Sequence, residues 1–343
     1  MNRWLIQLLV TRCRPNRSID LLLQANLAPE DRAVRAWRDW LRVRCLDDAT
    51  WSEVRLLTPL ARRIATLDSS SPLRPRLEGM AKSYWTQTQL AIRDSASAID
   101  VLSSAGIDCL LLKGAAYYAE GLAPARRRIM GDIDILVPHD AVAIASDRLC
   151  EAGWSAELVE LFARDEAAIS QNYRKGEFGD IDLHRHVFHF SRRDRELDVA
   201  LWENARSGRL AGRHVLMPSV ADSIVISVAH GTGNGDGDWA IDVDHCVRKH
   251  HVEWDHVAYI ADHRGLVPAV LAGLTYLKTL GSVIPQSALD TLRNARPTVG
   301  EYLKYFDLTL LRETRHSIPS RVVNAAHRIA NPLLPRDRYQ YRW

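Results

Sequence analysis

The chain has 343 residues, 47% of them hydrophobic and 25% charged, which gives ample apolar material for packed cores and excludes a disordered or low-complexity protein. Its 45 basic and 42 acidic residues leave a net charge of +3, an excess that permits anionic substrates but is not the footprint of an obligate nucleic-acid binder. The five cysteines, at 13, 45, 109, 150 and 246, include no Cys-x-x-Cys pair, which argues against a disulfide framework and a cysteine zinc site and predicts a reducing, cytoplasmic setting.

The opening MNRWLIQLLVTRCRPNR has a short apolar run that ends in arginines without a small-residue cleavage site, and this predicts a first amphipathic helix. No stretch approaches the roughly eighteen apolar residues of a membrane span. From Trp4 to about Leu102 apolar residues recur at helical spacing, with breaks expected at Pro15, Pro29 and the SSSP of 69–72. The segment 77–106 reads as a long helix that stops at Gly106.

The pattern then changes to short apolar runs separated by helices: strands at 108–114, 132–138, 154–160 and 180–187, with a helix over 140–152. Beyond about 200, the segments at 219–231, 239–250, 254–265 and 266–281 read as helices, so a mostly helical region closes the chain. GTGNGDGD at 231–238 has the composition of a mobile loop. The expected organisation is an N-terminal helical region at 1–95, a central α/β segment at 96–200 and a C-terminal, mostly helical region at 201–343.

GDIDIL at 131–136 and GDIDLH at 179–184 repeat one acidic, alternating pattern. In a strand, residues two apart share a face, so Asp132 and Asp134 point together while Ile133 and Ile135 keep the other face apolar. Carboxylates aimed into one space repel unless a cation lies between them, and hard oxygen ligands suit Mg²⁺ or Mn²⁺. If the second strand lies beside the first, Asp182 or Asp180 faces the same space, and the echo is one shared site. The plain alternative is a pair of solvated strand faces entered through Gly-Asp turns.

Upstream, LLLKGAAYY at 110–118 is an apolar run that ends in Lys113-Gly114 and opens a small-residue helix. A glycine there lets backbone approach a phosphate and the lysine adds charge; the plain alternative is a helix entry with a lysine reaching for solvent.

Together, KGAAYYAEGLAPARRRIMGDIDILVP and DIDLH resemble the uncharacterised nucleotidyltransferase family of bacteria, within the DNA polymerase β-type nucleotidyltransferase superfamily. Lys113, Gly114, Arg128, Asp132, Asp134, Asp182 and His184 fall on its pattern, and the closest match covers about 108–186. His230, Trp239 and Asp242 are similar to a later His and Trp-x-x-Asp of that family, although a helical core explains a lone His and Trp equally well.

The resemblance implies an α+β fold, a small mixed sheet with helices, flanked by the two helical regions. It implies two Mg²⁺ ions held by Asp132, Asp134 and Asp182, and a nucleoside triphosphate whose phosphates lie at Lys113-Gly114 with Arg128 nearby. The reaction implied is attack of an acceptor hydroxyl on the α-phosphate with loss of pyrophosphate, Asp182 lowering the barrier to deprotonation of the acceptor.

Gly114-Ala115 stands where the wider superfamily has Gly-Ser, so a hydroxyl is missing, and Arg126 and Arg127 compete with Arg128 for the phosphate role. Two other readings stand beside this one. Asp182, His184 and His186 have strand spacing for a mononuclear metal hydrolase, with His189 just beyond, or the chain is an inactive nucleotide-binding regulatory protein. The acceptor is left open among small molecules, sugars, peptides or proteins, and tRNA. Basic segments at 126–128, 191–195 and 335–343 offer an RNA path with aromatic residues for stacking, or solvated faces.

Overall fold

A computed structural model describes residues 3–122, 125–156, 162, 168–188, 195–235 and 237–314. Five helices come first: α1 (Arg3–Cys13), α2 (Arg17–Leu27), α3 (Glu30–Val43), α4 (Trp51–Leu67) and α5 (Arg74–Ser104). Three of their four breaks fall at Pro15, Pro29 and 69–72, as the sequence predicts, because proline and serine there offer the backbone turns instead of helix; the fourth, at 44–50, was not expected. α4 opens with a capping box, in which the Thr50 hydroxyl accepts from the Glu53 N–H and the Glu53 carboxylate accepts from the Thr50 N–H.

A six-stranded mixed sheet follows, in the order β3-β4-β2-β1-β6-β5. Its strands are β1 (Leu110–Leu111), β2 (Ile133–Leu136), β3 (Ser170–Lys175), β4 (Gly179–His184), β5 (Arg206–Leu210) and β6 (Arg213–Met217). Interleaved with them are α6 (Lys113–Ala119), α7 (Val142–Glu151) and α8 (Arg195–Glu203). β2 and β4 run parallel with Ile133 opposite Ile181, Asp134 opposite Asp182 and Ile135 opposite Leu183. The apolar members of that alternation pack with Ile92, Ile99 and Leu102 of α5 and Val142 and Leu149 of α7, so one face of the sheet is closed. The fold is α+β.

Helices α9 (Val220–Asn234), α10 (Asp238–Lys249), α11 (Trp254–His263), α12 (Val267–Leu280), α13 (Gln286–Asn294) and α14 (Val299–Thr314) follow. Together with α1 to α4 they form a second, larger core around Trp37, Leu56, Val243, Val270 and Tyr276.

Local details differ from the expectation. The loop expected over 231–238 is shorter, because α9 runs through Gly231-Thr232-Gly233 and ends at Asn234, with Gly235 at a φ of 76° closing it. These glycines serve packing: a Cβ on Gly231 would lie 2.1 Å from the Trp239 ring. The region beyond 200 also contains the β5–β6 hairpin, whose polar residues carry no strand-like alternation of apolar side chains. β3, SQNYRK, escaped for the same reason. At 154–160 the structure has only a bridge from Ser155 to Arg174, and 157–160 lie outside the described residues. α5 runs through the expected boundary at 95–96, while β5 and β6 lie beyond 200 and complete the sheet.

Candidate active site

The parallel register of β2 and β4 sets the site. Because Ile133, Ile135, Ile181 and Leu183 are claimed by the core, Asp134 and Asp182 must project together from the opposite face. His184, two residues on from Asp182, shares that face and is fully buried. Its Nε2–H lies 2.9 Å from Asp134 Oδ1 and 3.0 Å from Asp182 Oδ2, bridging the two carboxylates, while Nδ1–H donates to the His186 carbonyl at 3.2 Å. Ser170 on β3 donates to Asp182 Oδ2 at 3.1 Å.

Lys113 follows β1 and opens α6 with a φ of 51°, left-handed backbone that costs a non-glycine residue about 1–2 kcal/mol. The turn carries its Nζ to 2.5 Å from Asp134 Oδ1. Asp134 therefore meets two cations. Burial opposes its charge, but Lys113 and the bond from His184 hold its carboxyl well below the usual carboxylate range. Burial likewise opposes the charge on His184, yet Asp182 leads the neighbours that push it up to about 9. Lys113 also stays charged, since Asp134 and Asp182 more than offset its desolvation. Asp132 lies at the entry to β2 and solvent reaches it. Desolvation by the surrounding protein, then the charges of Asp134 and Asp182, push its carboxyl up to about 6; with solvent present, the like charges are the firmer cause.

The ligand atoms of Asp134, Asp182 and His184 lie within 4.8 Å of one another. Asp182 Oδ1 is buried with no hydrogen-bond partner among the described residues, an acceptor that calls for a cation. Two carboxylates of this kind fit Mg²⁺ or Mn²⁺, with His184, both nitrogens engaged as donors, adjoining. Asp180 is engaged elsewhere: its carboxylate accepts from Arg174 Nε at 3.2 Å and its backbone N–H bonds Ser95. His186 gives the group its carbonyl, while its ring packs 5.4 Å from His139. His189 lies outside the described residues, as do 191–194 and 335–343 of the basic segments.

Of the residues expected around the phosphates, Lys113, Gly114 and Arg128 come together, the Arg128 guanidinium against Gly114 and close enough to Asp134 and Asp132 to feel their charge. Arg128 is buried and directed at α10, with NH1 2.5 Å from Asp242 and 2.9 Å from Asp238. Asp238 also pairs with Arg55 of α4, so two arginines and two aspartates form one network, in which burial, and then the charge of Asp238, push the Asp242 carboxyl up to about 7 against the pull of Arg128. Burial disfavours the Arg128 charge, but Asp242 and Asp238 raise its pKa above the ordinary arginine value. Gly114 makes room for this arrangement, since a Cβ there would lie 2.0 Å from an Arg128 guanidinium nitrogen. Arg126 and Arg127 are exposed, the former 6.0 Å from the centre of the Tyr118 ring.

Asp242 is thus brought to Arg128, whereas Trp239 packs in the helical core against Gly231 and Gly273. His230 meets Asn234 of its own helix at 2.7 Å. Sequence reasoning missed Arg55, Asp238 and Ser170. The signal for Asp238 was its spacing four residues before Asp242, which puts both on one helical face. Nothing local marked Arg55 or Ser170.

The sequence model of a family described as "Uncharacterised nucleotidyltransferase" matches residues 49–282 of this chain, a span that includes every residue of the carboxylate site and of the arginine network. Comparison with curated proteins and with solved structures found no match. No helix among the described residues is long and apolar enough to cross a membrane.

Proposed function

The chain belongs to the uncharacterised nucleotidyltransferases, and from that premise we propose that it moves a nucleoside monophosphate from a nucleoside triphosphate to an acceptor hydroxyl, with pyrophosphate leaving. The observation that carries the reading is the pairing of Asp134 with Asp182 across parallel strands, beside Lys113 and His184. Asp132, Asp134 and Asp182 would hold Mg²⁺ or Mn²⁺, with His184 adjoining. Such an ion supplies positive charge to the phosphates and lowers the pKa of a hydroxyl bound beside it.

The remaining roles belong to side chains. Lys113 is the residue we assign to the triphosphate, because it stays charged and already lies among the carboxylates while solvent still reaches it. His184 fixes the separation of Asp134 and Asp182 by donating to both. Asp182 we assign to the acceptor side. Arg128, whose charge is matched by Asp238 and Asp242, holds α6 against α10 and keeps the turn at Gly114 in shape. The catalytic unit we propose begins with α5 and extends to Met217, since β5 and β6 complete the sheet.

The test is incubation of the protein with each of the four α-³²P-labelled nucleoside triphosphates, with and without Mg²⁺, in the presence of total RNA and of a small-molecule extract. Label transferred by wild type and not by Asp132→Ala is the expected result. Transfer that persists without divalent metal, or in the variant, would exclude this mechanism.

A further inference from the structure

A second concavity opens where α4 and α5 lie side by side. This groove, of about 310 Å³, is lined by residues that include Thr58, Ala61 and Arg62 of α4, Glu78 and Trp85 of α5, and Arg127 from the segment ahead of β2. Arg62 and Arg127 are exposed, and among the described residues neither forms an ion pair or hydrogen bond. The lining carboxylate, Glu78, bonds Arg74 at 2.8 Å. Burial, and then the nearby charge of Arg62, hold the Arg127 guanidinium below its ordinary value. Two unneutralised guanidinium groups converging on one groove make a place for an anion.

Trp85 adds a flat apolar face that is 47% exposed. An exposed indole between arginines is the combination that stacks a base and neutralises the phosphates flanking it.

A buried hydrogen bond ties the groove's helix to the segment that enters β2. Trp85 precedes Thr88 by one helical turn, and Thr88 Oγ1 accepts from the Met130 N–H at 3.3 Å, two residues before Asp132. The path along these elements puts Trp85 within about 20 Å of Asp132. A strand whose terminal hydroxyl is at the carboxylates can therefore place a nucleotide further back at the tryptophan.

We propose that the α4–α5 groove is a subsite for a single-stranded polynucleotide acceptor, one base stacking on Trp85 and the adjoining phosphates meeting Arg62 and Arg127. The inference rests on the transfer reading above and names its acceptor class. A single strand is required because the indole needs an unpaired base face.

The test is fluorescence anisotropy with a 5′-fluorescein-labelled ten-nucleotide RNA, without nucleoside triphosphate or metal, on wild type, Trp85→Ala and the double variant Arg62→Gln/Arg127→Gln. All three side chains are exposed, so circular dichroism and Tm should match wild type. Each variant is expected to bind about tenfold or more weakly. The double variant should also lose about one to two units of the slope of log affinity against log salt, which Trp85→Ala should keep. Unchanged binding in the variants, or displacement of the RNA by equimolar AMP, overturns the subsite. The outcomes separate the two claims: binding that depends on these residues in a protein that transfers no label keeps the groove and removes the catalysis. Transfer to a small acceptor with no RNA binding does the reverse.

Discussion

Asp132 and Asp134 share a face of the chain but not a structural burden, and the difference decides what their removal should do. Asp132 is exposed at the strand entry, whereas Asp134 is the counter-charge for both Lys113 and His184. Asp132→Ala is therefore expected to abolish transfer with Tm within about 2 °C of wild type. Asp134→Ala should abolish transfer and also lower stability by about 3 kcal/mol, since it takes from Lys113 its carboxylate partner and leaves His184 with Asp182 alone in a largely buried place. Thermal melts of the two variants in metal-free buffer check this, and equal Tm values would refute the division of roles. Of these residues, the carboxylates were legible because strand alternation alone sends Asp134 and Asp182 to one side. The use made of Gly114 was not. The sequence suggests a phosphate approaching that glycine, but the structure packs the Arg128 guanidinium on it, and no local pattern reveals a partner on α10 more than a hundred residues away.

At the scale of elements, helices were legible where apolar spacing and caps agree, and strands were lost where they are polar, as in β3 and β5. α4 illustrates the first case. Glu53 of its capping box is buried, accepts from Ser18 and Thr50 and faces Arg44 at 3.3 Å. Desolvation opposes its charge, but these donors and Arg44 hold its pKa below the ordinary 4.5. A depressed acid contributes stability that is fully present above its unfolded pKa and is lost as pH falls below it. Glu53→Gln should thus cost about 1–3 kcal/mol at pH 7 and progressively less below pH 4.5, read from paired denaturation curves. A constant difference across that range would count against the ionic part of the cap. α9 illustrates a glycine that composition misassigns to a loop. Alanine at Gly231 would gain up to about 1 kcal/mol of helix propensity, but its Cβ would lie 2.1 Å from the Trp239 ring. Rigid aromatic packing wins over propensity, so Gly231→Ala should destabilise by about 1–3 kcal/mol in a urea titration. A stabilised variant would show that Trp239 has room to move.

For the whole molecule the question is what makes the helical core and the sheet core one unit. α6 bridges them, with Tyr117 in the helical core and Ala115 and Ala116 against the sheet. The arginine network adds a polar tie from Arg55 on α4 through Asp238 to Arg128, and from Arg128 to Asp242. Removing Arg128 leaves Asp242 buried without its nearest cation; because burial already pushes that carboxyl up to about 7, it takes up a proton instead of staying charged, and the cost falls below the roughly 3–5 kcal/mol of a broken buried ion pair. The cysteines provide a reporter in each core: Cys109 lies beside β1, and Cys246 lies on α10 in the helical core. Burial pushes both thiols up to about 12, so each reacts with an alkylating reagent only after its surroundings open, while exposed Cys45 reacts at once. If the two cores open together, Cys109 and Cys246 in wild type should be labelled with the same opening free energy, as followed by peptide mass spectrometry at increasing urea. In Arg128→Met the loss should fall more heavily on Cys246, because the orphaned carboxylate is on its own helix, and the two labelling curves should separate. Curves already separate in wild type would mean that the network joins two cores that unfold independently. Curves that shift together in the variant would instead make α6 a sufficient bridge and confine Arg128 to the local geometry of Gly114.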